Sequence, residues 1–183
     1  QNLEKELKQL LLELKEKRYQ AQPVKRVEID KDDGGKRLLG IPTVRDRIVQ
    51  QCLSNIMTPI FDPQFHPSSY GYRTGRSCHQ AISKATLFIH KYNKRHVVDM
   101  DLSKCFDTLN HDLMIKFVRK RITDGSILNL IEMFLKSGVM VGSHWQDSEL
   151  GSPQGGVISP LLANIYLDEF DQEMKRRGHR IVR

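Results

Sequence analysis

The sequence predicts an α+β fold, and three observations carry that prediction. Strand-like runs flank Asp33-Gly34-Gly35, a strong hairpin signal. Several segments repeat apolar residues with the helical period. The stretch "HVVDMDLSKCFDTLNH", 96–111, opens on Val97 and Val98 as a strand entering a core and then places Asp99, Asp101 and Asp107 where such a strand meets water. At 183 residues the chain is long enough to bury a sizeable core, as one domain or as two lobes.

The elements follow in order. Residues 2–18 read as a charged amphipathic helix with Leu3, Leu7, Leu10, Leu11 and Leu14 on one face. The hairpin "VKRVEIDKDDGGKRLLGIP" ends at Pro42. Thr43 with Asp46 resembles a capping box opening a helix to about Met57, with Ile48, Cys52, Leu53 and Ile56 inward. "FDPQFHPSSYGYRTGRS" is a Pro/Gly/Ser-rich loop. Ser77 caps a long helix to about Asn93, and the strand at 96–102 follows. Two helices come next, near 111–121 and 126–137, the second closed by Gly138. A short β-like pair, "VMVGSHWQDSEL", leads into the last helix, with Ser159 as N-cap and Pro160 as its first residue. That helix runs to about Arg177, and "HRIV" starts a further strand.

Composition narrows the chemistry. The net charge is +7, and between Pro63 and Val98 there is no Asp or Glu, only cations and four histidines. "KFVRKR" at 116–121 and "KRRGHRIVR" at 175–183 add two more basic clusters. One-signed stretches of this kind suit a polyphosphate partner such as RNA, while each alone also suits a solvated surface. No apolar run approaches a membrane span, and the N-terminal helix has no signal-peptide core. Cys52, Cys78 and Cys105 form no C-x-x-C pair, which supports neither a zinc site nor a disulfide framework and favours a reducing, cytoplasmic setting.

Three stretches could hold chemistry. On a strand, Val97, Asp99, Asp101 and Ser103 share one face. A carboxylate at a strand end suits Mg²⁺, and equally suits capping the next helix. "GSPQGG" allows close backbone approach to a ligand, and equally makes a turn. Lys31, Lys36 and Arg37 at the hairpin tip could clamp a triphosphate or simply be solvated.

Order and spacing separate these alternatives. "KDDGGKRLLGIPTVRDR", "HPSSYGYRTGRSCHQAI", "DLSKCFDTLNH" and "GSPQGGVISPLLANIYLD" together resemble the reverse transcriptase of group II introns, the intron-encoded maturase family, from about Val24 to Arg183. The resemblance implies an RNA-directed DNA polymerase with a right-hand fold of fingers, palm and thumb. It implies that Asp101 is a catalytic aspartate binding two Mg²⁺ ions, with the carbonyl of Leu102 as a neighbouring ligand. Phe106 matches the aromatic gate that excludes a 2′-hydroxyl. Backbone N–H groups of Ser103, Lys104, Cys105 and Phe106 would face the triphosphate of a deoxynucleotide, with Lys31 and Arg37 on the phosphates. Gln154 and Gly155 would pack against the nucleotide and template base. Asp107 and His111 look structural, capping the following helix, and Cys105 stands where many relatives carry a second Phe. Arg73, Arg76, Lys91, Lys94 and Arg95 are candidate RNA contacts.

The implied division is an N-terminal extension remnant and fingers at 1–96, a palm strand at 97–110, fingers and palm helices at 111–150, and a palm helix with the start of the next strand at 151–183. The family's second aspartate pair lies in a Y-x-D-D hairpin after a segment like "HRIVR", and the sequence contains no Y-x-D-D. The expectation is therefore a fragment, inactive alone, with uncovered palm surface that favours a homodimer. The competing expectation is an RNA-binding scaffold acting only in splicing. A metal-dependent nuclease would need more than Asp99 and Asp101.

Overall fold

The computed structural model describes residues 2–30, 34–103, 105–141, 144–146 and 155–183. Helix α1 spans Asn2–Lys15. Its leucine face is a correction to the sequence reading: only Leu10 is buried, while Leu3, Leu7 and Leu11 are exposed. The helix meets the body only through its last turns. Glu13 pairs with Arg45 at 2.5 Å, and Leu14 packs on the core. Just beyond, the Tyr19 hydroxyl donates to Asp46 Oδ1. Burial and that bonded carboxylate both hold the phenol far above its usual range.

Strands β1 (Val24–Asp30) and β2 (Lys36–Ile41) form the expected antiparallel hairpin, in register from Lys25↔Ile41 to Asp30↔Lys36. β3 (Val139–Val141) joins β1 in parallel, and β4 (His144–Gln146) joins β3 antiparallel, giving the order β2-β1-β3-β4.

Helix α2 (Val44–Phe61) starts where predicted. Thr43 Oγ1 accepts from the Asp46 amide at 3.2 Å and donates to Asp46 Oδ2 at 2.7 Å. It runs four residues past Met57, and its buried face differs from the predicted one. Asp46, Val49, Gln50, Leu53, Met57 and Phe61 are buried, whereas Cys52 and Ile56 are exposed. The true stripe keeps helical spacing but is turned by one residue, and on it buried Gln50 accepts from the Val157 amide at 2.8 Å. After α2 comes a short 3-10 turn, Asp62–Gln64.

Helix α3 (Cys78–His90) carries the full Ser77/Gln80 capping box and ends earlier than predicted. The short α4 (Cys105–Thr108) precedes α5 (His111–Arg119), whose N-cap is Asn110, bonded to the Leu113 amide at 2.9 Å. The cap therefore falls to neither Asp107 nor His111. α6 (Gly125–Leu135) is capped by Asp124, and Gly138 follows at φ +74°. α7 (Ser159–Arg176) corrects the predicted cap by one residue: Ile158 holds the N-cap position, without a side-chain cap bond, and Pro160 lies in the first turn. α2, α5, α6 and α7 enclose a core whose fully buried members include Met57, Met114, Val118, Ile131, Leu135 and Leu162.

Two predicted strands do not form. Residues 96–102 are irregular, and Val97 and Val98 are 76% and 78% exposed. A strand needs a neighbour for its N–H and C=O groups, and none of the four strands pairs with this segment. Residues 179–183 are also irregular. Even so, the Arg183 amide donates to the Ser68 carbonyl at 2.9 Å, and its carbonyl accepts from the Tyr70 amide at 2.6 Å. That is one step of a parallel ladder laid against the Pro/Ser loop.

Candidate active site

Asp101, Leu102 and Ser103 lie exposed on the irregular segment before α4, with Asp99 two residues upstream. The half-buried Cys105 and Phe106 pack against the core from α4. Burial pushes the Cys105 thiol up; Arg183 pulls it down and Asp101 pushes it up. Lys31, Lys104 and Gln154 lie outside the described residues, as do the side chains of Arg37 and Asp107. The Arg37 backbone sits in β2 opposite Ile29.

Gly155 brings the glycine-rich loop to the hairpin. Its φ is +116°, and a Cβ placed there would stand 2.6 Å from the carbonyl oxygen of Gly40 in β2. The glycine is required twice over, by dihedral and by close approach. Gly155→Ala is expected to destabilise by about 1–3 kcal/mol, because both the backbone and the β2 carbonyl must shift. Gly34→Ala is the control: its φ is +79°, but nothing lies within 4 Å of an added Cβ. Equal melting losses for the two variants would show that the contact with Gly40 carries no weight.

Phe106 has a partner that the sequence did not reveal. The ring of Tyr72 meets it edge-on, with centroids 6.4 Å apart and planes at 81°. Tyr72 also lines a cleft of about 300 Å³ with Arg73, Val157 and Asn164. The cleft joins the ring beside Phe106 to the segment just after Gly155. Asn164, buried on α7, donates from Nδ2 to the Gly71 carbonyl at 2.9 Å. Its Oδ1 accepts from Arg183 Nη1 at 2.9 Å, and Arg183 Nε and Nη2 donate to the buried Asp171 at 2.9 and 2.7 Å. Nearby, burial raises the Asp168 carboxyl above its ordinary value. It also lowers the His66 imidazole, whose Nδ1 accepts from the Ser68 amide at 3.2 Å.

The basic candidates separate. Arg73 is no surface contact: its side chain is 4% exposed, pairs with Asp62 at 2.7 Å, and donates to the carbonyls of Asp62, His66 and Ser69. Sequence reasoning missed this because the acid lies outside the acid-free stretch, at the end of α2. Arg76, Lys91, Lys94 and Arg95 are exposed. Arg76 lies over the Tyr70 ring, 5.4 Å from its centroid. Arg180 lies over Tyr92 and Phe88 at 5.3 and 5.9 Å, and Lys84 reaches the Phe88 ring at 5.2 Å. Two basic stretches nearly a hundred residues apart in sequence thus form one face with an exposed tyrosine. In the cluster at 116–121, Lys120 is paired with Glu169 at 2.6 Å.

Residues 29–183 match the family model described as reverse transcriptase (RNA-dependent DNA polymerase). Protein YkfC of Escherichia coli (strain K12) is 44% identical over 94% of this chain and 46% of its own length. The group II intron-encoded protein LtrA of Lactococcus lactis subsp. cremoris is 38% identical over 92% of this chain and 28% of its own. The chain therefore spans less than half the length of these curated relatives. Among solved structures, the partial Cas6-RT-Cas1–Cas2 complex superposes with a TM-score of 0.62 at 28% identity, covering 98% of this chain and 31% of that one. Apo telomerase from Candida tropicalis shares the fold, with a TM-score of 0.54 at 13% identity over 85% of this chain and 40% of that one. Among the described residues, no helix is long and apolar enough to cross a membrane. The motifs singled out in the sequence, the mixed helix and sheet architecture and these likenesses agree: the chain belongs to the reverse transcriptase family and resembles its group II intron-encoded members.

Proposed function

We propose that this chain is the fingers and the first part of the palm of a group II intron's RNA-directed DNA polymerase, which also binds intron RNA for splicing and mobility. One observation carries the reading. The glycine-rich loop rests on the fingers hairpin at Gly155–Gly40, beside a cleft that continues to Tyr72, the ring neighbour of Phe106. Motifs far apart in sequence thereby come together, which supports reading them as one site.

Among the described residues, no three His, Cys, Asp or Glu side chains stand together as a metal cage. The family domain is generally Mg²⁺-dependent, and this chain's share of a two-ion site would be Asp101 and the Leu102 carbonyl. Mg²⁺ keeps several waters and needs oxygens from several groups, so the remaining carboxylates would come from a Y-x-D-D hairpin. Bound there, such ions would activate a primer 3′-hydroxyl and stabilise pyrophosphate. The chain's other groups would bind and select. Lys31 and Arg37 hold phosphates, and the amides of residues 103–106 face the triphosphate. Phe106 lies under the sugar and excludes a 2′-hydroxyl, while Gln154 and Gly155 press on the nucleotide and template base.

Primer extension on an RNA template with deoxynucleotides and Mg²⁺ tests this, comparing residues 1–183 with the longer intron-encoded protein. Incorporation by the longer protein alone is the expected result. A longer protein that binds RNA but never extends a primer would favour a splicing-only scaffold, the second reading, which rests on the basic face around Tyr92. Binding to that face should be strongly salt-dependent. Six exposed or half-exposed cations, Arg76, Lys84, Lys91, Lys94, Arg95 and Arg180, imply a fall in affinity on the order of 10²–10³-fold between 50 and 200 mM salt. A flat dependence in a filter-binding titration would leave the charge as a solubility feature. A cytoplasmic setting accords with three free cysteines. The exposed Val97, Val98, Met100 and Leu102 are expected to drive self-association to a homodimer, and a mass by light scattering that stays monomeric at all concentrations would refute it.

A further inference from the structure

We infer that Tyr72 is a positioning residue for sugar selection: it holds the Phe106 ring, and Asn164 with buried Arg73 holds Tyr72. The inference rests on the reading of Phe106 as the gate. Tyr72 is 73% exposed, yet its φ is +54°. A bulky residue in the left-handed region is a backbone outlier, and such strain persists only where the surroundings over-determine it.

Here they do, on both sides. Immediately before Tyr72, the Gly71 carbonyl is held by Asn164 at 2.9 Å, and Asn164 is itself held by Arg183. Immediately after it, the buried Arg73 side chain is fixed to Asp62 and three backbone carbonyls. The backbone is clamped at 71 and at 73, and the residue between them is turned so that its ring abuts Phe106 nearly at right angles. Core packing does not require this, because the Tyr72 ring is largely solvated. What the arrangement fixes is the position of one face of Phe106. A gate separates a deoxyribose from a ribose by one hydroxyl, so a ring free to retreat would discriminate less.

The test is primer extension by the longer intron-encoded protein, scoring deoxynucleotide over ribonucleotide preference, with melting temperatures alongside. Tyr72→Leu and Tyr72→Gly are expected to lower that preference about 2- to 12-fold, the range of an aromatic pair, and by no more than Phe106→Ala does. Tyr72→Phe should retain it within about 2-fold, since the ring edge survives. Tyr72→Gly separates positioning from stability: glycine tolerates φ +54°, so its melting temperature should not fall while its preference does. On a Phe106→Ala background the Tyr72 variants should add nothing. If Phe106→Ala relaxes selection and Tyr72→Gly does not, the gate reading stands and this inference falls. If Phe106→Ala leaves selection intact, or the parent protein incorporates neither nucleotide, the gate reading fails and takes the inference with it.

Discussion

Asp101→Ala is expected to abolish RNA-templated DNA synthesis by the longer intron-encoded protein, by about a thousandfold or more. A carboxylate that holds catalytic metal ions contributes several kcal/mol to the transition state, and each 1.4 kcal/mol is about a tenfold change in rate. Folding should be indifferent. Asp101 is exposed on an irregular segment, and surface substitutions of that kind usually stay within about 0.5 kcal/mol. RNA binding should also persist, because the variant removes a negative charge from a chain of net charge +7. Steady-state primer extension, RNA retention and thermal melting on one preparation check all three. Activity within tenfold of the parent would remove Asp101 from the metal site. Loss of activity together with loss of folding would make it structural.

Arg183→Met is expected to cost about 3–5 kcal/mol, the range for breaking a buried ion pair by removing one partner. The Asp171 side chain is 1% exposed. It would be left with no guanidinium facing it. The variant also releases the Asn164 Oδ1 atom that Arg183 now holds. In a chain of this size the loss corresponds to a melting shift of roughly 6–20 °C. The exposed pairs of Glu173 with Arg176 and Arg177, both at 2.6 Å, make the contrast. Removing either cation should leave the melting temperature close to the parent's, since solvent already screens them. Pairing Arg183→Met with Asp171→Leu should recover much of the loss, because two apolar groups leave no buried charge. An Arg183→Met melting temperature within about 2 °C of the parent would show that water replaces the guanidinium.

Arg183 is tied by its side chain to α7 and by its backbone to Ser68 and Tyr70. The segment predicted as a strand thus begins its ladder against the Pro/Ser loop without yet forming one.

The sequence by itself determined the local elements and the family. The hairpin turning at Gly34-Gly35, the caps at Thr43 and Ser77, and the helix stop before Gly138 are written in residues within four positions of one another. Such signals act through neighbouring backbone groups and need no distant partner. The motif order that marks a reverse transcriptase is likewise linear, and so Asp101 and Phe106 were legible as candidates. Only the tertiary structure decided the rest. Arg73 looked like one more surface cation until Asp62 and three carbonyls enclosed it. Val97 and Val98 looked like core until the sheet formed without them. Tyr72 carried no individual signal in the sequence, because its strain arises from clamps supplied by Asp62 and the loop that follows it and by Asn164 on α7. Burial and pairing depend on what another part of the chain brings to the same place, and periodicity, charge and propensity along the sequence do not contain that information.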